Sequence, residues 1–304
     1  MRIAAQEKKL PRVGVLTSSA MNQALREAFL RGMREHGYVE GRNVILEWRA
    51  ADGQAERANA LAAELVKLKV NVIVAMLTPA VQAARKATRT IPIVMAGVGD
   101  PLGTGLVSSL AKPGGNVTGV SASSAEASGK RIGLLRELVP GLKRLGILIN
   151  GSDPFSRPFV EEARDPAKRA GIELHVVDVR QPAQVDPAFA GMKKAGVGAV
   201  LVQGVLLIAP KQVADDALRH RLPAASAMRQ FAQAGGLMSY GADFQNLVRS
   251  SAAYVDKILK GANPAELPVE QPTRFEFVIN RRTAGQLGLA IPPALLVRAD
   301  EVID

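Results

Sequence analysis

The 304-residue sequence contains no cysteine and only three histidines. Without cysteine the chain can form neither a disulfide framework nor a thiolate metal site, and it has no cysteine nucleophile. The lack of thiols suits an exported protein, although many cytosolic proteins also lack cysteine. His36, His175 and His220 are far apart in sequence, and none has a second metal-type ligand at a characteristic spacing. No metal site is therefore expected.

Aromatic residues make up only 4% of the chain, so the hydrophobic cores must rest on Val, Leu, Ile and Ala. This composition favours a Val/Ile-rich parallel sheet covered by Ala/Leu-rich helices. No apolar run reaches the ~18 residues of a membrane-spanning helix. Residues 1–10 are too short for a complete signal peptide, and we interpret them as a leader remnant or tag-like segment.

The chain has fewer acidic than basic residues, with 28 Asp and Glu against 39 Lys and Arg, which gives a formal net charge of +11. The basic residues are scattered, however, and none stands in a run longer than two. A nucleic-acid surface concentrates its basic residues on one face or stripe. The pattern therefore indicates solvated helix faces, and no nucleic-acid partner is expected.

Short apolar runs alternate with segments of helical periodicity along most of the chain. Strands are predicted at residues 13–16, 44–48, 70–76, 91–96, 117–120, 145–149, 172–179, 199–202, 237–240 and 275–279. Such alternation is typical of βαβ units around a parallel sheet. About nine of these ten strands alternate with helices, and a single parallel sheet of that size is uncommon. The Ser-rich segment 121–128 also interrupts the alternation. We therefore predict an α/β protein with two doubly wound parallel-sheet lobes.

The sequence has no recognisable catalytic or cofactor motif. It has no Gly-x-Ser-x-Gly nucleophile elbow and no phosphate-binding loop of the Walker type. The glycines of Gly97-Val98-Gly99 and Gly103-Thr104-Gly105 do not have the spacing of a dinucleotide-binding loop, and Asp100-Pro101 separates the two groups. Neither catalysis nor a cofactor is expected.

Polar and turn-forming residues follow the predicted strands. In open parallel sheets, ligands bind beyond the carboxyl ends of the strands. The loops at these positions contain Thr17-Ser18-Ser19, Thr78-Pro79, Gly97–Pro101, Asn150–Pro154 and Gln203-Gly204. Hydroxyl groups and backbone N–H groups at helix N-termini suit a carboxylate, and Asp100 suits an ammonium group. Each residue taken alone is better explained as a helix N-cap, and the ligand-binding interpretation depends on the whole set lying at one sheet edge in both halves. Tyr240 either stacks on a ligand or packs in a hinge.

Two regions carry a resemblance to a known family. One is GVGDPLGTGLVSSLAKPGGNVTG at 97–119, and the other is the tail, with GGLMSYG at 235–241, YVDKILKG at 254–261, LPVEQP at 267–272 and LVRADEVI at 296–303. From Pro11 onward the chain resembles the bacterial ABC-transporter substrate-binding proteins described as tryptophan/tyrosine transport components. The resemblance implies a type I periplasmic-binding fold, in which two lobes close on a ligand like a Venus flytrap.

The resemblance also implies how the chain divides between the lobes. The N-terminal lobe comprises 11–120 and 241–272, and the C-terminal lobe comprises 121–240 and 273–304. The three hinge crossings then lie at Val120-Ser121, Ser239-Tyr240 and 273–275.

The ligand-facing positions carried over from the family lie in the cleft between the lobes. They are Thr17, Ser18, Ser19, Thr78, Pro79, Asp100, Pro101, Asn150, Asp153, Gln203, Gly204 and Tyr240. The sequence departs from the family at Gln203-Gly204, where members often have Asp-Pro, and at Ser226, where they often have Tyr. These departures weigh against an aromatic amino acid and favour another amino acid or a small carboxylate.

The expected function is capture of this small molecule as the solute-binding component of an ABC importer. The resemblance implies a permease in the inner membrane as partner and a periplasmic location, and we expect a monomer. One alternative is a ligand-sensing module of a receptor or regulator on the same fold. A DNA-binding head is not expected, because only residues 1–10 precede the region of the first strand. An enzyme on a doubly wound scaffold is the other alternative.

Overall fold

The computed structural model describes residues 10–122 and 125–304, which form two compact units. The first unit comprises the described residues up to Ala96 together with Val107–Val120 and Val248–Val269. The second comprises Gly97–Leu106, Ser121–Leu247 and Glu270–Asp304. Each unit is thus built from three separate stretches of the chain.

The first unit is organised around a five-stranded sheet. Its elements are β1 (Arg12–Thr17), α1 (Gln23–Glu35), β2 (Ile45–Ala50), α2 (Ala55–Lys67), β3 (Val72–Met76), α3 (Thr78–Ala87), β4 (Ile93–Val98) and β5 (Val117–Ser121). The strand order is β2-β1-β3-β4-β5, and β1 runs parallel to both β2 and β3. Strands β3 and β4 are buried along their whole length, which explains why their sequences are apolar without alternation.

The second unit contains a seven-stranded sheet. Its elements are α4 (Ala125–Leu138), β6 (Arg144–Ile149), α5 (Ser156–Arg169), β7 (Glu173–Asp178), α6 (Val185–Lys194), β8 (Ala199–Val202), α7 (Pro210–Arg219), β9 (Ala224–Ser226), α8 (Arg229–Gln233), β10 (Met238–Ala242), α9 (Phe244–Leu259), β11 (Phe275–Asn280), α10 (Arg281–Leu287), α11 (Pro293–Arg298) and β12 (Glu301–Ile303). The strand order is β12-β11-β10-β9-β8-β6-β7, and β10 and β11 form an antiparallel pair. Helix α9 continues into the first unit from Val248.

Helices cover both faces of this second sheet. Ile147 of β6 packs in one apolar cluster with Leu135 of α4 and Phe159 of α5. Its neighbour Leu148 packs in another cluster with Phe189 of α6 and Val213 of α7. Successive strand residues point to opposite faces, so the two clusters lie on either side of the sheet. The predicted α/β class with doubly wound sheets is confirmed, with one antiparallel pair added.

Several elements and boundaries differ from the sequence-based expectation. The described residues contain twelve strands, and the sequence analysis missed β9 and β12 because three residues are too few to show a period. Residues 97–106, 241–247 and 270–272, which the sequence analysis gave to the N-terminal lobe, fall in the second unit. The predicted leader remnant lies outside the described residues except for Leu10. No helix in the described ranges has the length and apolar character needed to cross a membrane.

Candidate functional site

The loop that follows β6 is held by a side chain at the end of β8. The backbone N–H of Asn150 donates to Gln203 Oε1 over 2.9 Å, and Gln203 Nε2 donates to Asp153 Oδ2 over 2.9 Å. Strands β6 and β8 are parallel neighbours, so their carboxyl ends meet at one edge of the sheet. The sequence placed both loops at this edge, and the structure joins them.

Asp153 is a buried carboxylate at the start of α5. Its Oδ1 accepts a hydrogen bond from the backbone N–H of Phe155 over 3.0 Å. Burial raises the pKa of Asp153 to about 6, while the Phe155 N–H opposes the shift. At neutral pH the group is mostly ionised, and the described residues offer its carboxylate hydrogen-bond donors but no ion pair.

Gln203 is one of the predicted ligand contacts, and in this structure it is 0% exposed. Both the oxygen and the nitrogen of the amide are already bonded to the 150–153 loop. Gln203 therefore positions this loop, whereas its neighbour Gly204 remains partly exposed.

Asp100 organises a tight loop within the second unit. Its Oδ1 accepts the N–H of Gly103 over 2.9 Å, and its carbonyl accepts the hydroxyl of Thr104 over 2.7 Å. The backbone of Asp100 has φ of 29°, a strained value for a residue with a side chain. A carboxylate that closes its own turn in this way still has lone pairs for a further donor.

Glycine brings this loop against the start of α5. A methyl group added at Gly99 would lie 2.5 Å from the Phe155 ring, so only glycine permits the observed approach. The contact places Asp100 and Pro101 beside the loop that contains Asn150 and Asp153. Phe155 is itself half-buried, and it was not among the predicted ligand contacts.

Tyr240 lies on β10 and presents an aromatic face. Its ring stacks on Phe275 of the neighbouring strand, with centroids 5.9 Å apart and planes 17° from parallel. The side chain is half-buried. Its carbonyl oxygen accepts a hydrogen bond from Arg131 Nε over 3.0 Å.

Arg131 is a buried residue that the sequence analysis missed. It lies on α4 and is only 5% exposed. Burial lowers the pKa of Arg131 to about 10, and Glu162 and Tyr240 partly oppose the shift. Its burial could have been predicted from the helical spacing, because the apolar residues 134, 135 and 138 lie on the same face of the helix as Arg131.

In the first unit, predicted residues follow two adjacent strands, β1 and β3. Thr17 ends β1, and its Oγ1 accepts the backbone N–H of Ser19 over 3.2 Å. Thr78 begins α3 directly after Leu77, whose φ of 67° is strained for a branched side chain. Because β1 and β3 are parallel, these loops share one edge of the first sheet.

Exposure separates the twelve predicted residues into two groups. Those that retain exposed surface are Ser19, Pro79, Asp100, Asn150, Gly204 and Tyr240. Those that are buried are Thr17, Ser18, Thr78, Pro101, Asp153 and Gln203. The first group has surface to offer a ligand, and within the second Thr17, Asp153 and Gln203 make hydrogen bonds that hold these loops. Among the described residues, no group of three His, Asp or Glu side chains could hold a metal ion.

Comparison with known proteins gives this geometry a context. Residues 13–303 match the family described as ABC transporter substrate binding protein. A "Tyrosine-binding protein" from Clostridioides difficile (strain R20291) is 27% identical over 285 residues, which cover 93% of this chain and 82% of the relative.

Two solved structures resemble the whole chain. A conserved domain protein from Vibrio cholerae is 30% identical, with a TM-score of 0.92 over 97% of this chain and 100% of that one. An ABC domain from Streptococcus pneumoniae in complex with L-Trp is 28% identical, with a TM-score of 0.90 over the same shares. The fold is the type I periplasmic-binding fold, and the family is one of substrate-binding proteins rather than enzymes. Because the match covers residues 13–303, which is most of the sequence, the chain belongs to the ABC transporter substrate binding protein family.

Proposed function

We propose that this protein binds a free L-amino acid for an ABC importer. The observation that carries the proposal is the family match over residues 13–303. It is supported by the two relatives whose names mention tyrosine and L-Trp, each similar over more than nine-tenths of this chain. The membership establishes the class of protein, whereas the choice of an amino acid rests on the likeness and on the site.

The second unit offers groups that suit such a ligand. Asp100 provides a negative charge for an ammonium group, and Asn150 provides a polar side chain on the adjoining loop. Phe155 and Tyr240 provide half-buried aromatic faces. Binding sites for small molecules typically combine apolar and aromatic surface with a few placed polar groups. The half-buried Ser19 and Pro79 of the first unit stay proposed ligand contacts as well.

Position 226 does not supply the aromatic surface of the proposed site. Ser226 is buried, and its hydroxyl donates to the carbonyl oxygen of Val202 over 2.9 Å. It presents no ring to a ligand, but Phe155 and Tyr240 supply aromatic surface elsewhere in the same unit. Tryptophan and tyrosine are therefore the first amino acids to test.

We further propose that the protein acts outside the cytoplasm, in the periplasm, and delivers its ligand to an inner-membrane permease. Both proposals rest on family membership. A permease from the same gene cluster should bind the ligand-loaded protein more tightly than the ligand-free protein, since closure on a ligand changes which surface is presented.

The direct test is a thermal-shift screen with the twenty L-amino acids, followed by calorimetric titration. A true ligand at 100 times its Kd should stabilise the folded protein by ~2.7 kcal/mol. The D-enantiomer of each hit serves as the control, because a specific site distinguishes the two. If no amino acid raises the melting temperature at millimolar concentration, the proposed ligand class is wrong.

A further inference from the structure

A buried arginine in the second unit has most of its hydrogen-bonding capacity unused. A guanidinium group has five N–H donors, and Arg131 Nε uses one of them on the carbonyl of Tyr240. Within the described residues, Nη1 and Nη2 have no hydrogen-bond acceptor. The side chain as a whole is only 5% exposed, but Nη1 and Nη2 are not among the fully buried atoms that lack a partner. Both terminal nitrogens therefore keep accessible surface, and their four donors are left for another partner.

The charge of Arg131 also lacks a direct counter-ion in the described part of the chain. Glu162 attracts the guanidinium electrostatically, but among the described residues no hydrogen bond or ion pair joins the two side chains. The Glu162 carboxylate accepts the hydroxyl of Ser128 instead, over 2.8 Å. A buried charge without a partner is costly, and arginine stays protonated at neutral pH even in this environment.

The chemistry of the missing partner follows from these facts. A carboxylate supplies one negative charge and two coplanar oxygens, which match the two terminal nitrogens of a guanidinium. The hydrogen bond from Nε to the Tyr240 carbonyl restricts the orientation of the guanidinium plane and leaves Nη1 and Nη2 available for a carboxylate. Tyr240 is also a predicted ligand contact, so the guanidinium lies beside the proposed site.

We propose that Arg131 binds the carboxylate of the ligand through Nη1 and Nη2, while Nε keeps its bond to the Tyr240 carbonyl. This inference rests on the proposed function and names the group that the site recognises. It adds a specificity-determining residue: a ligand without a carboxylate leaves the buried charge unpaired.

The test compares L-tryptophan with L-tryptophanamide, which differs only in lacking the carboxylate. Titration calorimetry is carried out on the wild-type protein, Arg131→Gln and Arg131→Lys. We expect Arg131→Gln to weaken L-tryptophan binding about 10- to 100-fold and to leave the amide within about 3-fold. Arg131→Lys, which keeps the charge but loses the planar pair of donors, should fall between. Arg136→Gln removes an exposed positive charge from the same helix and should change neither affinity.

Equal losses for the acid and the amide would show that Arg131 only ties α4 to β10, and they would overturn the inference. Undiminished binding of L-tryptophan to Arg131→Gln would overturn it too. If circular dichroism shows that Arg131→Gln is unfolded, the affinities of Arg131→Lys for L-tryptophan and L-tryptophanamide are compared instead.

Failure of the proposed function has a different signature, namely that no amino acid binds the wild-type protein. In that case benzoate and indole-3-acetate are compared with their amides on the same variants. A melting-temperature rise with the acids that Arg131→Gln abolishes still supports the carboxylate site. An equal response of both proteins overturns it.

Discussion

The side-chain amide of Gln203 donates a hydrogen bond to the carboxylate of Asp153 over 2.9 Å, and both side chains are buried. The same amide accepts the backbone N–H of Asn150. One residue at the end of β8 thereby fixes both ends of the loop after β6. The partly exposed Asn150, a proposed ligand contact, is thus held in place by two buried side chains.

The raised pKa of Asp153 predicts a pH dependence of stability. Its folded-state pKa of about 6 exceeds the unfolded value of 3.8, so the folded protein binds more protons between these limits. The free energy of unfolding should therefore fall as pH rises through this window, by roughly 3 kcal/mol at 1.36 kcal/mol per pKa unit.

Urea unfolding of wild-type protein and Asp153→Asn between pH 3.5 and 8 measures this contribution. This range extends from just below the unfolded pKa of 3.8 to about two pH units above the folded pKa of about 6. The difference between the free energies of unfolding of the wild-type protein and the variant should decrease as pH rises through this window and stay constant above about pH 7. A difference that does not vary with pH would contradict a buried, proton-linked Asp153.

Exchanging the two partner groups tests the hydrogen-bonding pattern itself. Gln203→Glu places a second carboxylate against Asp153, and we expect a loss of about 3 kcal/mol at pH 7.5. Adding Asp153→Asn restores one amide and one carboxylate, so the double variant should recover at least half of that loss. Additive losses in the double variant would mean that the two side chains do not interact.

The sequence predicted where the polar loop residues lie along the chain, but not in which direction their side chains point. Apolar runs that end in polar residues predicted Thr17 and Thr78 near strand ends, and the structure agrees, since β1 ends at Thr17 and β3 ends two residues before Thr78. Nothing in the sequence near Gln203 shows that its amide faces inward. That fact depends on β6 and β8 being neighbours, which only the folded sheet establishes.

Arg131 shows a second kind of limit. A charged residue on a helix is ordinarily assigned to solvent, since its burial without a partner is costly. The apolar stripe at 134, 135 and 138 contradicts that assignment, but the carbonyl of Tyr240 that holds Nε lies more than a hundred residues away. Periodicity identifies which face is buried, and only the fold identifies what a buried polar group meets there.

Asp100 is expected to recognise the ammonium group of the ligand. Asp100→Asn keeps an oxygen for the Gly103 N–H and removes the charge, so the loop should persist. Binding of L-tryptophan should weaken about 10-fold, whereas indole-3-propionate, which lacks the amino group, should bind unchanged. Titration calorimetry checks both, with Asp165→Asn on the exposed face of α5 as the control. Equal weakening of both compounds would assign Asp100 to loop structure alone.

Two helical glycines should respond to alanine in opposite directions. In an exposed helix, Gly→Ala stabilises by about 0.5–1 kcal/mol, since alanine loses less conformational entropy on folding. Gly133 of α4 has no atom within 4 Å of the site of an added Cβ, so Gly133→Ala should stabilise the second unit by this amount.

Gly32 of α1 is also a helical glycine, but unlike Gly133 it lies directly against another helix. A Cβ there would lie 2.2 Å from the carbonyl oxygen of Arg249 and 3.0 Å from the Cβ of Ala252, both on α9. Backbone oxygen cannot rotate away as a side chain can, so the two helices of the first unit must separate. We expect Gly32→Ala to destabilise by about 1–3 kcal/mol despite its better helix propensity. Melting temperatures of both variants, measured side by side, decide the matter, because a gain at Gly32 equal to that at Gly133 would mean that α1 and α9 do not approach this closely.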